Sequence, residues 1–232
     1  MGHMPHSATQ LTLDGRAATL RTDDLIEILA ASQQRQPRRA SMVTVSLGLA
    51  AGLATSVLLV AGTLGIRPDL RGALENPGVW LKLFFGGVVL LAAGVAATRL
   101  SLPGRGWSGA GTVLSAAFAI LAICGLVELA RLPVAEWAPC IAGQDWLTCL
   151  IAIPLLALPT VFAMGAAMRR LAPTRLRLAG TLLGLAGGGA AALAFSLYCQ
   201  DDAVPFTAVW YGLALGGSAL LGRLMGPRLL RW

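Results

Sequence analysis

Charge is scarce in this sequence, and that scarcity excludes most soluble folds. Only 12% of the 232 residues are Asp, Glu, Lys or Arg, against roughly 25% in globular proteins. Hydrophobic residues make up 56% of the chain, and the mean hydropathy is +0.72. A soluble core has no room for that much apolar surface. The composition therefore predicts a protein embedded in a lipid bilayer.

Residue sets that would support an enzyme are also missing. No Ser/His/Asp set, metal-hydrolase motif or pair of catalytic carboxylates can be assembled from the sequence. No glycine cluster follows a strand, as a nucleotide-binding loop requires. We expect no cleavable signal peptide, because the first apolar run begins only at Met42 and lacks a cleavage-type end. We therefore expect no catalytic activity.

Six apolar runs are long enough to cross a bilayer, which takes about 20 residues. They predict an all-α polytopic membrane protein with six transmembrane helices, most simply arranged as three αα-hairpins. Small residues four positions apart would let these helices approach closely. The runs cover about residues 42–66, 80–98, 109–131, 147–168, 178–198 and 206–225. The glycines concerned are Gly48 and Gly52, Gly180, Gly184 and Gly188, and Gly212 and Gly216.

The distribution of charge predicts the orientation of the six helices. The N-terminal segment, the loops after the second and fourth spans and the C-terminal tail carry 14 of the 18 basic residues. The other side carries seven of the 11 acidic residues. Because short cytoplasmic loops are rich in Lys and Arg, both termini are expected to be cytoplasmic. The basic balance thus reflects topology and contact with anionic lipid, and direct binding of nucleic acid is not expected.

We divide the chain into three parts. Residues 1–20 are expected to be a disordered arm that includes a cloning remnant, residues 21–41 a cytoplasmic helix with a linker, and residues 42–232 a six-helix transmembrane sensor domain.

The cytoplasmic helix is short and amphipathic. Thr22 is a plausible N-cap, and Asp23 and Asp24 follow it where the helix dipole favours anions. Leu25 and Leu29, with Ile28, fall on one face. Helices that lie on lipid favour Lys and Arg on their polar face, so the acidic residues here favour a protein partner over lipid.

The four cysteines gather towards the non-cytoplasmic side. Cys140, Cys149 and Cys199 fall at a similar membrane depth, whereas Cys124 lies inside the third span. Such thiols could form a disulfide, bind Cu(I) or serve as small buried hydrophobes. The last role explains Cys124 best. For Cys149 and Cys199 we favour redox or metal chemistry, because thiols exposed to an oxidising compartment rarely stay idle. No histidine lies on this side, which disfavours a zinc site of the usual Cys/His type.

Two further features lie near the same boundary. Glu128 and Arg131 are three residues apart in the third span, and we expect an interfacial ion pair between them. The aromatic residues at the interfaces are expected to act as belt anchors; they are Trp137, Trp146, Trp210 and Tyr211.

An ordered set of short stretches resembles the NrsF-type family, the six-span negative regulators of sigma F in bacteria. The resemblance covers about residues 21–232. The stretches are Thr22-Asp23-Asp24-Leu25-Ile26, Arg67-Pro68-Asp69-Leu70, Trp80-Leu81-Lys82, Asp145-Trp146-Leu147-Thr148-Cys149-Leu150, Ile153-Pro154, Ala172-Pro173-Thr174, Ala179-Gly180, Tyr198-Cys199-Gln200-Asp201-Asp202, Phe206 and Trp210-Tyr211.

The resemblance implies an anti-sigma factor in the bacterial inner membrane. Its cytoplasmic N-terminus would hold an extracytoplasmic-function sigma factor, and Cys149 and Cys199 would trigger release under metal or oxidative stress. We expect Cu(I) at these two thiols ahead of other metals, with Cys140 and Cys124 as possible additional ligands. The sigma-binding residues would be Asp23, Asp24, Leu25, Ile26, Ile28 and Leu29. The alternatives are a membrane thiol-disulfide oxidoreductase and a small transporter.

Overall fold

A computed structural model describes residues 38–100, 108–169 and 175–231. The predicted cytoplasmic helix, the sigma-binding residues and the linker up to Pro37 lie outside the described residues. Residues 38–41, predicted to belong to the linker, are helical and begin the first span, so the predicted boundary at residue 42 is wrong by one turn. Every element in the described ranges is helical. The helices are α1 (Arg38–Thr63), α2 (Leu70–Ala73), α3 (Pro77–Leu100), α4 (Ser108–Arg131), α5 (Val134–Ala142), α6 (Trp146–Arg169), α7 (Leu176–Phe195) and α8 (Val204–Leu229), which contains a π turn at Thr207–Tyr211.

The predicted all-α, six-span architecture is confirmed. Six helices, α1, α3, α4, α6, α7 and α8, are long and apolar enough to cross a membrane, and their ends lie close to those predicted. Helices α2 and α5 are short and fill the connections at one end of the bundle. The side of the membrane that each terminus faces stays a prediction.

Helix α7 lies at the centre of the bundle. Within its apolar stretch 78% of the residues are buried, against 17% in α4 and 22% in α1. It packs against α8, α3, α6 and α1. The alanines and glycines of α7 make this possible, because small side chains let four neighbours approach its backbone.

Only the last of the three predicted hairpins is confirmed. Helices α7 and α8 pack along their length, but α1 packs on α6 and α7 and has little contact with α3. Helix α4 packs on α3 and on the first turns of α8, not on α6. The hairpin arrangement is therefore wrong for the first four spans, whose main partners are not the spans paired with them in the prediction.

The predicted glycine contacts are mostly confirmed. A Cβ at Gly180 or Gly184 would overlap the backbone of α8, and one at Gly52 would overlap Thr160 of α6. The prediction is wrong for Gly212 and Gly216, where nothing lies within 4 Å of an added Cβ. The face of α8 that meets α7 carries Gly222 and Gly226 instead, one helical turn apart from each other.

Several chain segments meet at one end of the bundle. They are the connection after α1, the first turns of α3, α6 and α8, and the end of α7 with the residues that follow it. Both predicted sensor cysteines, Cys149 and Cys199, lie at this end.

Candidate functional site

Cys149 and Cys199 are both fully buried, at 0% exposure. Cys149 lies in the first turn of α6, where its backbone N–H donates to Asp145 O at 2.8 Å. Cys199 follows α7, and its N–H donates to Phe195 O at 3.0 Å. Both residues belong to the same buried core cluster. The expectation that they are exposed is therefore wrong, because the chain segments around both residues fold over the bundle end.

Lys82 is the cation nearest to this thiol pair. It lies near the start of α3 and is 1% exposed. Its ammonium donates to Asp201 O at 2.7 Å and to Asp202 Oδ1 at 3.1 Å, and it lies 3.8 Å from Cys199 Sγ. It also lies over the Tyr211 ring, 5.6 Å from the centroid. A buried ammonium is tolerated only with such partners, so Lys82 binds α3 firmly to the segment that carries Cys199.

Arg67 adds a second buried cation from the connection after α1. Its guanidinium donates to both oxygens of Asp202 at 3.1 Å and both of Asp69 at 2.9 and 3.0 Å. It also donates to the Cys199 carbonyl at 3.2 Å. The two carboxylates raise the pKa of Arg67, and Arg67 in turn lowers the pKa of Asp69. Asp202 thereby joins both cations in one network.

Asp201 links this network to the turn before α6. Its Oδ2 accepts from the backbone N–H groups of Gln144 and Asp145, both at 2.9 Å. The turn needs glycine at Gly143, where φ is +58° and a Cβ would lie 2.8 Å from that same oxygen. One donor atom from each of Asp145, Cys199 and Asp201 lies within 4.8 Å of the other two.

The residues around Cys199 favour its neutral form. Burial raises the pKa of this thiol, and the nearby Lys82 ammonium opposes the effect without cancelling it. The folded protein therefore holds Cys199 as a protonated thiol at neutral pH. A ligand or oxidant that acts on it must first displace that proton.

The other two cysteines occupy different surroundings. Cys124 is half-buried and lines a cavity of about 730 Å³ together with Glu128, Gln200 and Asp202. Cys140 is half-buried on α5, near Glu128 and Glu136. In the ranges that the structure covers, neither of them, nor Cys149, belongs to the group of close donor atoms that Asp145, Cys199 and Asp201 form.

Two predictions about the boundary residues are wrong. In the described part of the chain no ion pair joins Glu128 to Arg131, because Glu128 faces the cavity while Arg131 is exposed. Tyr211 is not a belt anchor: it is fully buried under Lys82, with its hydroxyl 3.4 Å from Ser196 Oγ.

The three tryptophans lie at this end of the bundle, and two of them donate hydrogen bonds. Trp146 packs on Trp210 with ring centroids 5.0 Å apart, and Trp210 donates to Ile141 O at 2.8 Å. Trp137 is exposed and donates to Leu132 O at 3.2 Å.

Our prediction of site residues from the sequence missed the charged half of the cluster. Lys82, Arg67, Asp201 and Asp202 were used for orientation and resemblance but not as candidate site residues. One signal was present: Lys82 is the only lysine in the chain, and every other cation is an arginine. A second signal was the pair of acids that follows Cys199 by two and three positions.

The fold defines a class of protein, an all-α polytopic membrane protein with a buried thiol and charge cluster at one end. Comparison with known proteins narrows this class. Residues 29–232 match the family model described as negative regulator of sigma F, NrsF. The chain therefore belongs to the NrsF family, as its sequence motifs indicated.

Two relatives match over nearly the whole chain. The anti-sigma-F factor NrsF of Caulobacter vibrioides is 38% identical over 224 residues, which cover 92% of this chain and 100% of the relative. The probable anti-sigma-F factor NrsF of Azospira oryzae is 34% identical over 220 residues, with the same coverage. No solved structure matches the chain.

Proposed function

We propose that this protein is an integral inner-membrane anti-sigma factor that holds an extracytoplasmic-function sigma factor at its cytoplasmic N-terminus. Family membership supports the regulatory role, and the six membrane helices support the location. The observation that carries the sensing part is the burial of Cys149 and Cys199 beside a charge network that joins four chain segments. Release of the sigma factor follows a change in that cluster.

The sigma-binding segment is the acidic amphipathic stretch before α1. Asp23 and Asp24 supply its charge, and Leu25, Ile26, Ile28 and Leu29 supply the apolar face. Burying two or three such side chains contributes about 1.5–3 kcal/mol each, and the upper end of their sum approaches the roughly 8 kcal/mol that micromolar binding requires.

Helix α1 provides the physical connection between the cysteine cluster and the sigma-binding segment. It begins at Arg38, directly after the linker, and packs on α6 and α7. Ser56 of α1 donates to Leu156 O of α6 at 2.8 Å, and α6 begins at the turn that Asp201 holds. A change in how α6 and α7 pack would therefore alter the position of α1. A signal shifts such an equilibrium only if it favours one arrangement over the other.

The signal in this proposal acts on Cys149 and Cys199, as a Cu(I) ion between two thiolates or as a disulfide. Two buried thiols in one core cluster suit Cu(I), which accepts low coordination by soft ligands and needs no histidine. Lys82, 3.8 Å from Cys199 Sγ, would partly offset the charge of a thiolate. A disulfide requires the two Cα atoms within about 7 Å.

Deletion of residues 20–36 tests the sigma-binding role. Capture of the sigma factor by detergent-solubilised protein is expected to be lost, while membrane insertion is kept. Deletion of residues 5–19 is the matched control and should leave capture unchanged. Equal capture by both deletions would place the binding site elsewhere in the chain.

Serine substitutions test the sensing role. Cys149→Ser and Cys199→Ser should still hold the sigma factor but fail to release it, with copper and peroxide assayed separately. Cys124→Ser and Cys140→Ser are controls and should respond normally. A normal response from Cys149→Ser or Cys199→Ser would exclude the two-cysteine sensor.

A further inference from the structure

We propose that the cavity beside Glu128 binds a small organic cation, an ammonium group attached to an apolar body. The cavity lies between the first turns of α3, the end of α4 and the segment that leads into α8. It is separate from the buried cysteine pair, since neither Cys149 nor Cys199 lines it. The inference goes beyond the anti-sigma role and does not depend on it.

The volume of the cavity indicates a ligand of organic size. It is about 730 Å³, whereas one water occupies about 30 Å³ and pockets for small molecules span about 300–1,000 Å³. The walls combine apolar side chains, such as Pro77, Leu81 and Val204, with the amides of Asn76 and Gln200. A mostly apolar lining with a few polar groups is the usual composition of a small-molecule site.

Glu128 gives this cavity a negative charge that no cation balances. In the described ranges its carboxylate forms no ion pair and no hydrogen bond, although the side chain is half-buried in the last turn of α4. The other acid in the lining is Asp202, which Arg67 and Lys82 already share. An acid at this depth is costly unless it is paired, so the charge that attracts a ligand is that of Glu128.

The same lining disfavours an anion and a metal ion. Glu128 would repel an anion. In the part of the chain that the structure describes, Glu128 belongs to no group of close metal-donor atoms. One carboxylate suits an ammonium group, whose N–H donors make strong charge-assisted hydrogen bonds. The apolar body of such a ligand would bury surface against Leu81 and Val204.

A free amine and the headgroup of phosphatidylethanolamine both supply an ammonium group. The cavity lies at the ends of two spans, because Pro77 opens α3 and Glu128 is in the last turn of α4. Span ends lie at the depth of the lipid headgroups. Helix α4, which forms one wall, is only 17% buried within its apolar stretch. The experiment therefore tests the two sources separately.

Equilibrium dialysis of the purified full-length chain in detergent measures the binding of benzylamine. EDTA and a reductant are present to prevent metal binding and thiol oxidation. We expect one benzylamine per chain above the uptake by protein-free micelles. Benzyl alcohol has a similar body without the charge, and its binding should be at least about tenfold weaker. Glu128→Gln keeps the size of the side chain and should lower the affinity for benzylamine by a similar factor.

Matched variants test the charge and the location. Glu136→Gln removes an exposed acid of α5 that does not line the cavity, and this variant should bind benzylamine like the unchanged chain. Cys124→Phe fills the cavity and should abolish binding, whereas Cys140→Phe changes a thiol outside the cavity and should not. Thermal unfolding checks that each variant is folded. If Cys124→Phe does not fold, the comparison of Glu128→Gln with Glu136→Gln decides.

Native mass spectrometry with phosphatidylethanolamine and phosphatidylglycerol of equal acyl chains tests the lipid source. A phosphatidylethanolamine adduct that benzylamine displaces, and that Glu128→Gln lacks, would identify the headgroup as the ligand. Benzylamine binding without such an adduct would identify a free amine. The proposal fails if neither benzylamine nor phosphatidylethanolamine binds, if benzyl alcohol binds as tightly as benzylamine, or if Glu128→Gln binds like the unchanged chain.

Discussion

Helix α7 joins two regions of the molecule that are held together in different ways. Its middle contacts neighbouring helices through glycine and alanine, with backbone against backbone and almost no polar contact. The segment that follows it, from Ser196 to Asp202, is held by ammonium, guanidinium and carboxylate groups. The first region depends on shape and tolerates no added volume. The second depends on charge and is sensitive to the loss of a single partner.

The difference explains how one helix could serve both rigidity and response. A closely packed glycine contact has one favourable arrangement, because each added atom meets backbone. A buried charge network has alternatives, since its groups can exchange partners when a new charge enters. We therefore expect substitutions in the middle of α7 to affect stability most and those at its end to affect both stability and signalling.

The largest effect is expected from Gly184→Leu. Its Cβ would overlap the carbonyl of Ser218 in α8, so the helices must separate, at a cost of about 3 kcal/mol or more. Gly216→Leu is the matched control because nothing lies within 4 Å of a Cβ there. Tryptophan fluorescence during thermal unfolding in detergent should show a large drop in Tm for the first variant only. Equal drops would mean that α7 and α8 do not pack through Gly184.

The second effect, about 2–3 kcal/mol, is expected from Lys82→Met. The substitution keeps a chain of similar length but removes charged hydrogen bonds to Asp202 and to the Asp201 carbonyl. Arg67 still neutralises Asp202, which limits the loss. Arg71→Met is the control, since Arg71 is an exposed cation close by in sequence. Tm is measured by the same unfolding assay. Equal drops in Tm for the two variants would mean that the hydrogen bonds of Lys82 contribute nothing to stability.

The architecture could be predicted from the sequence, but the partners of each helix could not. Long apolar runs determine six spans because the bilayer requires them. Which spans touch depends on the faces that the small residues occupy, and Gly212 and Gly216 have the same spacing as Gly180 and Gly184 yet face no neighbour. Spacing alone does not tell which face is inside.

The candidate site was predictable only in its cysteines. The sequence indicates that Cys149 and Cys199 lie at a similar depth. Charged residues near a membrane boundary are usually exposed to water, so the sequence gives no reason to expect them in a buried site. Lys82 and Arg67 are buried because connections distant in sequence fold over them and supply carboxylates and carbonyls. Those contacts join residues more than 100 positions apart, a separation that no local pattern reports.

A third, smaller effect concerns thiol reactivity. Cys149 and Cys199 are fully buried, whereas Cys124 and Cys140 are half-buried, so alkylation of the first pair in folded protein should be at least about tenfold slower, or about 1.4 kcal/mol. Mass spectrometry of iodoacetamide-treated protein measures each site, with denatured protein as the reference. Comparable rates at all four cysteines would mean that the bundle end opens readily.

Burial of Cys199 also predicts how stability depends on pH. Its pKa is raised in the folded state, so the folded chain keeps a proton that the unfolded chain loses above about pH 8.5. The stabilising contribution is present below that pH and is lost as the pH rises through the folded pKa. Cys199→Ala should flatten the decline of Tm above pH 8.5, whereas Cys140→Ala is expected to have less effect because its thiol is only half-buried.

The smallest effect is expected from Asp69→Asn, which removes the outermost member of the charge network. Asp69 pairs with Arg67 at 2.9 Å, but its side chain is 58% exposed, and Arg67 keeps Asp202 as a second partner. Water and salt screen such a pair, so the drop in Tm should be well below that of Lys82→Met.

Arg67 lowers the pKa of Asp69, and a depressed carboxyl pKa stabilises the fold above the unfolded value of about 3.9. The Tm difference between the unchanged chain and Asp69→Asn should therefore be constant from pH 7 to 5 and disappear as the pH falls through the folded pKa. A difference that persists at the lowest pH, or that equals the effect of Lys82→Met, would show that Asp69 acts through packing and not through charge.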